Sequence, residues 1–201
     1  MNAIPMRTAA GWDELAERVR ACRDCPELAL TRRTVVVGDA PSGARLLLVG
    51  EAPGAAEDES GRPFVGKAGQ LLDALLAEAG LPREQVAVIN VLRCRPPGNR
   101  APKPVEVSAC ASWREQQIAL IDPVLTVALG ATAVRTLLGK VPSLAAVRGI
   151  VHEPAGRRIV ATYHPSAAIR FGPAGAPMAA LRADLAWAVS LLMSGTNGCG
   201  P

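Results

Sequence analysis

The sequence contains few aromatic residues and no long hydrophobic run. Three Trp, one Tyr and two Phe make up 3% of the 201 residues, too few for the row of stacked aromatic side chains that binds single-stranded nucleic acid. No stretch reaches the ~18 consecutive apolar residues of a transmembrane helix, and the first residues lack the apolar core of a secretory signal. These absences exclude an aromatic stacking platform and predict a cytoplasmic protein that does not associate with membranes.

A large excess of charge of one sign is also missing. The chain has 22 Lys and Arg against 18 Asp and Glu, which gives a net charge of +4. This balance is compatible with a polyanionic partner but does not require one. With 49% hydrophobic residues, the chain is long enough to bury one sizeable core. We predict a monomer with one domain over residues 1–201, a core from about residue 12 to 193 and a flexible tail at 194–201.

Four short apolar runs are typical of buried strands, at residues 45–50, 86–91, 124–130 and 159–163. They are continuously apolar, which favours a parallel sheet covered by helices on both faces. Helical patterns lie around them, at about residues 12–21, 68–80, 105–121, 131–138 and 178–193. This order predicts an α/β fold, a three-layer α/β/α arrangement with a central four-stranded, mostly parallel sheet. In such sheets ligands bind beyond the carboxyl ends of the strands.

The loop after the first strand, residues 50–66, is long and rich in carboxylates. It lacks the Gly-Lys-Ser/Thr ending of a phosphate-binding loop. Most loops of this kind are irregular connections with exposed acids. Phe64 departs from that pattern, since it is one of only two phenylalanines and lies in a Gly-rich stretch. Its ring is suited to packing against a planar ligand.

The second candidate loop begins at Asn90, a polar amide at the end of an apolar strand. A buried amide needs partners for both its donor and its acceptor. Neighbouring backbone groups are the ordinary partners, and the edge of a base is the functional alternative. Positive charge that suits phosphates follows this strand, at Arg93, Arg95, Arg100 and Lys103.

The third candidate loop follows the last strand at His164, one of only two histidines. A lone histidine is often structural, but this one is placed at the carboxyl end of a strand, where ligands bind. Ser166 and the backbone N–H groups near it suit a phosphate, and Arg170 can pair with one.

Four of the five cysteines have a spacing typical of metal ligands. Cys22, Cys25, Cys94 and Cys110 follow the pattern C-x2-C-x68-C-x15-C. Such a set suits tetrahedral zinc or a [4Fe-4S] cluster, and the spacing does not separate the two. Four unrelated buried cysteines are the simpler alternative. Cys199, in the predicted tail, has no place in the pattern.

Four motifs together resemble those of the family 4 uracil-DNA glycosylases. They are Gly-Glu-Ala-Pro-Gly at residues 50–54, Gly-Arg-Pro-Phe-Val-Gly-Lys-Ala-Gly at 61–69, Asn-Val-Leu-Arg-Cys-Arg-Pro-Pro at 90–97 and His-Pro-Ser at 164–166. The resemblance implies hydrolysis of the N-glycosidic bond of deoxyuridine in single- or double-stranded DNA, which leaves an abasic site. It also implies that the four spaced cysteines hold a [4Fe-4S] cluster.

The resemblance further implies roles for individual residues. Phe64 would stack on a flipped uracil, Asn90 would pair with uracil O4 and N3–H, and His164 would donate a hydrogen bond to O2. Gly50 and Ala52 would line the base pocket. The implied DNA contacts are Arg100, Lys103, Ser166, Ile169 and Arg170, with Ile169 a candidate to fill the space that the flipped base leaves.

One position departs from the pattern of related glycosylases. Those that carry Gly-Gln-Asp-Pro have a catalytic Asp where this chain has Ala52. Glu51 is the nearest replacement and Glu57 the next, although Glu57 has the alternative role of excluding the methyl group of thymine. The predicted catalytic residues are therefore Glu51, Glu57 and His164.

Two other classes of protein are compatible with parts of the sequence. A non-catalytic nucleic-acid-binding module would explain the basic second loop and the cysteines, but not Phe64, Asn90 and His164. An iron-sulfur electron carrier on a flavodoxin-like sheet would need a flavin phosphate loop, which the sequence lacks.

Overall fold

The computed structural model describes residues 9–194, and its centre is a parallel sheet. The strands of this sheet are β1 (Leu46–Gly50), β2 (Val86–Asn90), β3 (Leu125–Leu129) and β4 (Ile159–Thr162). Their order is β2-β1-β3-β4, and all three neighbouring pairs are parallel. The prediction of a four-stranded sheet inside an α/β fold is confirmed, and the sheet is entirely parallel.

Ten α-helices surround the sheet within the described residues. They are α1 (Ala9–Ala21), α2 (Pro26–Thr31), α3 (Ala55–Ser60), α4 (Lys67–Glu78), α5 (Pro104–Ala109), α6 (Ala111–Ile121), α7 (Gly130–Leu138), α8 (Leu144–Val147), α9 (Pro165–Phe171) and α10 (Ala176–Ser194). Three single turns of 3-10 helix cover Arg83–Gln85, Pro97–Asn99 and Pro154–Gly156.

The helix predicted over residues 105–121 is in fact two helices, α5 and α6, which meet at Cys110. Four helices of four to seven residues were not predicted, namely α2, α3, α8 and α9. Helices this short are not stable by local propensity and form because they pack against the rest of the protein.

Alternate residues of β1 supply two separate cores. Leu46 and Leu48 belong to a cluster that includes residues of α4 and α10. Leu47 and Val49 belong to a second cluster, with residues of α6 and α7 on the opposite face. All five residues of β1 are buried, which is why the strand is continuously apolar. A third cluster joins α1 and α2 to Cys94 and Cys110.

The last helix, α10, contacts α4, α9 and β4. By length and composition alone it is apolar enough to cross a membrane, with a mean hydropathy of 1.3, and 33% of that segment is buried inside the protein. Apart from Ser194, the predicted flexible tail at 194–201 lies outside the described residues, as does Cys199. The assignment of residues 1–201 to one domain stays a prediction.

Candidate functional site

A cavity of about 350 Å³ opens at the carboxyl edge of the sheet. The parallel strands bring Gly50, Asn90, Gly130 and the residues after Thr162 to this same edge. Nine residues predicted from the sequence line the cavity: Glu51, Ala52, Glu57, Phe64, Asn90, Arg100, His164, Ser166 and Arg170. Gly50, Lys103 and Ile169, which were also predicted, are not among the residues that line it.

Gly50 makes room for the two side chains at the base of this cavity. A Cβ atom on Gly50 would lie 2.4 Å from Asn90 Oδ1 and 2.6 Å from Phe64 Cζ. Both distances are shorter than any real contact of a Cβ atom, so a side chain here would displace the amide or the ring. Gly50 therefore acts through its lack of a side chain.

Phe64 is held in a conformation that most residues avoid. Its φ angle is +55°, in the left-handed region, and its side chain is only 7% exposed. The centroid of its ring lies 5.7 Å from that of His164, with 36° between the ring planes. A Cβ atom on Gly69 would lie 1.7 Å from the Phe64 carbonyl oxygen, so α4 approaches this turn through a glycine.

Glu57 fastens the loop that carries Phe64. Its Oε2 accepts a hydrogen bond from the Gly54 N–H at 3.0 Å, and its Oε1 accepts from Val65 N–H at 2.9 Å and from Gly66 N–H at 2.8 Å. Hydrogen bonds to an ionised carboxylate are stronger than neutral ones. Glu57 thus closes the segment between α3 and α4 into a fixed shape around the ring.

The amide of Asn90 is buried and incompletely bonded. The residue is 3% exposed, and its Oδ1 has no hydrogen-bond partner within residues 9–194. Leaving a buried acceptor unsatisfied costs about 1–3 kcal/mol. Because Asn90 lines the cavity, a ligand that presents an N–H group there would recover that free energy. The ordinary alternative, in which backbone groups satisfy this oxygen, does not apply.

His164 caps the N-terminus of α9 with its imidazole ring. Its Nδ1 accepts a hydrogen bond from the Ser166 N–H at 3.2 Å and lies 2.8 Å from Ser166 Oγ. Because Nδ1 accepts from a backbone N–H, the neutral ring carries its proton on Nε2. Burial lowers the pKa of His164, while the charges of Glu51 and Glu57 act in the opposite direction. The site therefore contains a neutral imidazole with a free N–H donor.

Glu51 has a partner that the sequence did not reveal. The hydroxyl of Thr132 donates a hydrogen bond to Glu51 Oε2. Thr132 lies in the first turn of α7, directly after β3, and its only sequence signal was its place two residues beyond the end of a predicted strand. This contact orients the carboxylate at the cavity wall. Ala52, the next residue, packs against the cluster that contains Cys94.

Arg100 and Lys103 are engaged in ion pairs within the protein. Arg100 forms two hydrogen bonds with Glu106, at 3.0 and 2.6 Å, and lies 3.3 Å from a Glu27 oxygen. Lys103 pairs with Glu27 as well. On α9, Ile169 is 43% exposed and Arg170 is also at the surface.

Arg93 was predicted to add positive charge for phosphates, and that prediction is wrong. The side chain is 2% exposed and cannot reach DNA. It points instead toward the cysteines, and one of its N–H groups donates to the backbone carbonyl of Asn90. Burial lowers its pKa to about 10, so the guanidinium is still charged at neutral pH.

The four predicted ligand cysteines line one cavity. Cys22, Cys25, Cys94 and Cys110 all contribute to it. Within the described part of the chain, however, no three His, Cys, Asp or Glu side chains lie close enough together to hold a single metal ion. Two N–H groups point at the sulfur atoms, from Arg32 Nη1 to Cys94 at 2.8 Å and from Trp113 Nε1 to Cys22 at 3.3 Å. The four cysteines thus lie around one cavity, and their role as ligands stays a prediction.

The electrostatics of this cysteine site set two requirements for a bound group. Burial and the neighbouring cysteines raise the pKa of Cys25 to about 11, and burial raises the pKa of Cys94, so these two thiols do not ionise readily without a positive partner. Arg93 has two buried nitrogens that lack a hydrogen-bond partner within residues 9–194. Buried charges of this kind are costly unless they are compensated. A group of metal ions bound by these cysteines would meet both requirements. The metal cations would stabilise the thiolates, and the group together with its thiolates would have a net negative charge that faces Arg93.

Comparison with known proteins gives a consistent result. Residues 37–186 match the family model described as the uracil DNA glycosylase superfamily. The chain is 47% identical to a type-4 uracil-DNA glycosylase of Thermotoga maritima, over 78% of this chain and 82% of that protein. It is 42% identical to a type-4 enzyme of Pyrobaculum aerophilum, with 78% and 84% covered. A type-5 uracil-DNA glycosylase of Thermus thermophilus is 36% identical, with 77% and 86% covered.

Proposed function

Because this chain belongs to the uracil DNA glycosylase superfamily, and within it to the type-4 enzymes, we propose that it excises uracil from DNA. It hydrolyses the N-glycosidic bond of deoxyuridine, releases uracil and leaves an abasic site, the first step of base excision repair. The substrate is uracil-containing DNA, single- or double-stranded. The monomeric state and the cytoplasmic location stay predictions.

The buried amide of Asn90 carries this proposal, because the residue lines the cavity and its Oδ1 has no hydrogen-bond partner among the described residues. Uracil presents an N3–H donor beside its O4 acceptor, which matches the amide oxygen and the amide N–H of Asn90. Cytosine presents an acceptor at N3 and a donor at C4, which would leave buried polar groups facing like groups. A site built to hydrogen-bond one pattern rejects the other strongly.

Phe64 supplies the flat surface on which the uracil ring packs. The base must leave the duplex to reach the cavity, which costs a few kcal/mol and least at a mismatch. Stacking on a buried ring recovers part of that cost. Glu57 supports this step indirectly, since its three hydrogen bonds fix the turn in which Phe64 lies.

His164 stabilises the departing base. As the glycosidic bond breaks, negative charge builds on uracil O2, and the neutral imidazole donates its Nε2–H to that oxygen. A donor already aimed at developing charge lowers the barrier without a proton transfer. The hydrogen bonds from Ser166 keep the ring in the required tautomer.

The sugar becomes positively charged as the base leaves, and Glu51 is the carboxylate that we propose to stabilise it and to activate a water molecule. Its side chain lines the cavity and is oriented by Thr132. In contrast, both oxygens of Glu57 are occupied by backbone N–H groups. Glu51 is therefore the better placed of the two.

Glu51→Gln is expected to lose more activity than Glu57→Gln. The loss should be about 10²-fold in kcat, in the range for removal of a general base, with no change in thermal midpoint. Glu57→Gln should instead lower the midpoint, because its new amide N–H₂ group faces backbone donors. Single-turnover rates and thermal melts of both variants measure this, and equal rates would contradict the assignment of Glu51.

DNA contacts are proposed for the rim of the cavity. Ser166 and Arg170 line it and suit phosphates, and Ile169 is exposed beside them, where it would fill the space left by the flipped base. Arg100 and Lys103 act together with their acidic partners, so their attraction for phosphates is partly offset by Glu27 and Glu106.

A [4Fe-4S] cluster on Cys22, Cys25, Cys94 and Cys110 fits the donor set. The cluster would supply structural cross-linking of the segments that carry these ligands. Arg93, which lines the same cavity, would face its negative charge, and the N–H groups of Arg32 and Trp113 would bond to ligand sulfurs.

Purified protein is expected to contain about four iron atoms and to absorb near ~400 nm. Iron analysis and an absorbance spectrum of protein purified without oxygen test this. Stoichiometric zinc without colour would contradict the cluster.

The activity itself is tested with an oligonucleotide that contains one uracil, single-stranded or opposite G or A. Alkali then cleaves the abasic sites that form. We expect cleavage with at least one of these substrates and none with the matched thymine oligonucleotide. Binding without cleavage by protein that contains its cluster would instead favour a non-catalytic nucleic-acid-binding module.

A further inference from the structure

Arg93 lies between the cysteine site and the amide that reads the base. It occupies the short segment from Asn90 at the end of β2 to the ligand Cys94, and it is among the largest fully buried side chains of the described residues. A buried Arg is rare unless it is paired. Its position, three residues after Asn90 and directly before the proposed ligand Cys94, joins the two sites along the chain.

The nitrogens of the Arg93 guanidinium contact one of these sites and lie beside the other. Nη1 donates a hydrogen bond to the backbone carbonyl of Asn90, whereas Nε and Nη2 have no hydrogen-bond partner in the described part of the chain. The side chain also lines the cavity of the four cysteines and interacts electrostatically with Cys94 and Cys110. A planar group with fixed donor directions is suited to holding two sites in register.

We propose that Arg93 is a positioning residue for base recognition, which fixes the Asn90 backbone through Nη1 while the negative charge of the cysteine site holds its other nitrogens. The amide of Asn90 is attached to that backbone, and Gly50 leaves it little space, because its Oδ1 lies 2.4 Å from where a Gly50 Cβ would be. A small shift of the carbonyl therefore moves the amide against its neighbours. This inference rests on the proposed uracil recognition by Asn90.

Arg93→Lys is the discriminating variant. It keeps a positive charge facing the cysteines, so iron content should stay at the level of the unaltered protein. It loses the planar guanidinium, whose N–H groups point in fixed directions. A single ammonium group cannot donate to the Asn90 carbonyl and face the cysteine site in the same way. We expect kcat/KM for uracil excision to fall about 3- to 30-fold, the range typical of coupled neighbours. Arg93→Met serves as the stronger variant if it folds.

Arg114→Lys is the matched control. Arg114 is also a buried arginine. Its Nε lies 3.5 Å from a carboxylate oxygen of Glu115, and its charge acts on Arg93, but no hydrogen bond joins it to Asn90 in the described residues. Its replacement should leave uracil excision within about twofold, as expected for a site without a shared partner. An equal loss in both variants would indicate a general packing effect and overturn the proposal.

A direct readout that does not depend on activity is the Asn90 carbonyl itself. Asn90-Val91 is the only Asn-Val pair in the sequence, so protein with ¹³C-carbonyl Asn and ¹⁵N Val gives a single HNCO signal that reports this carbonyl. The signal should shift in Arg93→Lys and stay in place in Arg114→Lys. An unshifted signal in Arg93→Lys would overturn the proposal.

A double-mutant cycle separates an effect through Asn90 from a merely structural one. The loss caused by Arg93→Lys should disappear in an Asn90→Ala background, because the amide that it positions is already absent. Additive losses would overturn the proposal. If the unaltered protein does not excise uracil, the proposed function fails, and the carbonyl signal still decides whether Arg93 holds Asn90.

Discussion

Replacing Asn90 with Ala is expected to lower kcat/KM for uracil excision by about 10²- to 10³-fold. The change removes both the acceptor for uracil N3–H and the donor to O4, and each hydrogen bond of this buried kind is worth about 1–3 kcal/mol. The measurement is the single-turnover cleavage rate of a uracil oligonucleotide, taken once at a saturating concentration of protein and once at a concentration well below saturation.

The stability of the Asn90→Ala variant should move in the opposite direction from its activity. In the free protein Oδ1 has no hydrogen-bond partner among the described residues, so its removal relieves an unsatisfied buried acceptor. We expect a thermal midpoint that is unchanged or slightly higher. Such a trade of stability for function is common where a site is prepared for a ligand. A large fall in midpoint would mean that Asn90 is primarily structural.

Asn99 provides the matched control for this experiment. It lines the same cavity, but it is exposed and its Oδ1 accepts a hydrogen bond from Arg95 Nε at 2.7 Å. Its φ angle is +56°, which glycine adopts without strain, so Asn99→Gly should stay within about threefold of the unaltered activity, as surface substitutions usually do. Comparable losses for the two asparagines would contradict the assignment of base reading to Asn90.

Replacing His164 with Gln is the second change with a large expected effect. The imidazole donates to charge that develops only as the base departs, so kcat should fall by about 10²- to 10³-fold, as it does when one such donor is removed, while KM changes little. His152→Gln is the control. His152 is the other histidine, and its Nε2 lies 2.9 Å from the Val147 carbonyl, outside the cavity. A rise in KM with unchanged kcat in His164→Gln would instead assign it to ground-state binding.

The pH dependence follows from the same residue. Burial lowers the pKa of His164 below its usual 6.5, so the folded protein resists protonation of this ring. The rate should be flat from pH 8 through pH 6.5 and fall only at lower pH. The neutral ring's contribution to stability is likewise complete above pH 6.5 and is lost as pH falls toward the lowered pKa, because the unfolded chain then binds the proton more readily. A rate that is already halved at pH 6.5 would contradict a lowered pKa.

Several structural features followed from the sequence alone. The four apolar runs were long enough for strands and too continuously apolar for a half-exposed sheet, so their burial on both faces and their parallel pairing could be predicted. Once the strands are parallel, their carboxyl ends meet at one edge. Asn90, His164 and the loop that contains Phe64 were therefore expected to lie close together, and they do line one cavity.

The tertiary structure alone decided how individual charged side chains are used. Arg93 and Arg95 look alike in the sequence, but Arg93 is buried beside the cysteines and Arg95 is at the surface. Glu51 and Glu57 were both candidate carboxylates, and only the folded loop directs three backbone N–H groups at Glu57. Thr132 meets Glu51 across 81 residues of sequence. Such pairings depend on how segments that are distant in the sequence pack against one another. The apolar runs that predict strands are a local property of the chain. For this reason the sequence determined the edge of the sheet, and the tertiary structure determined which charged side chains pair around it.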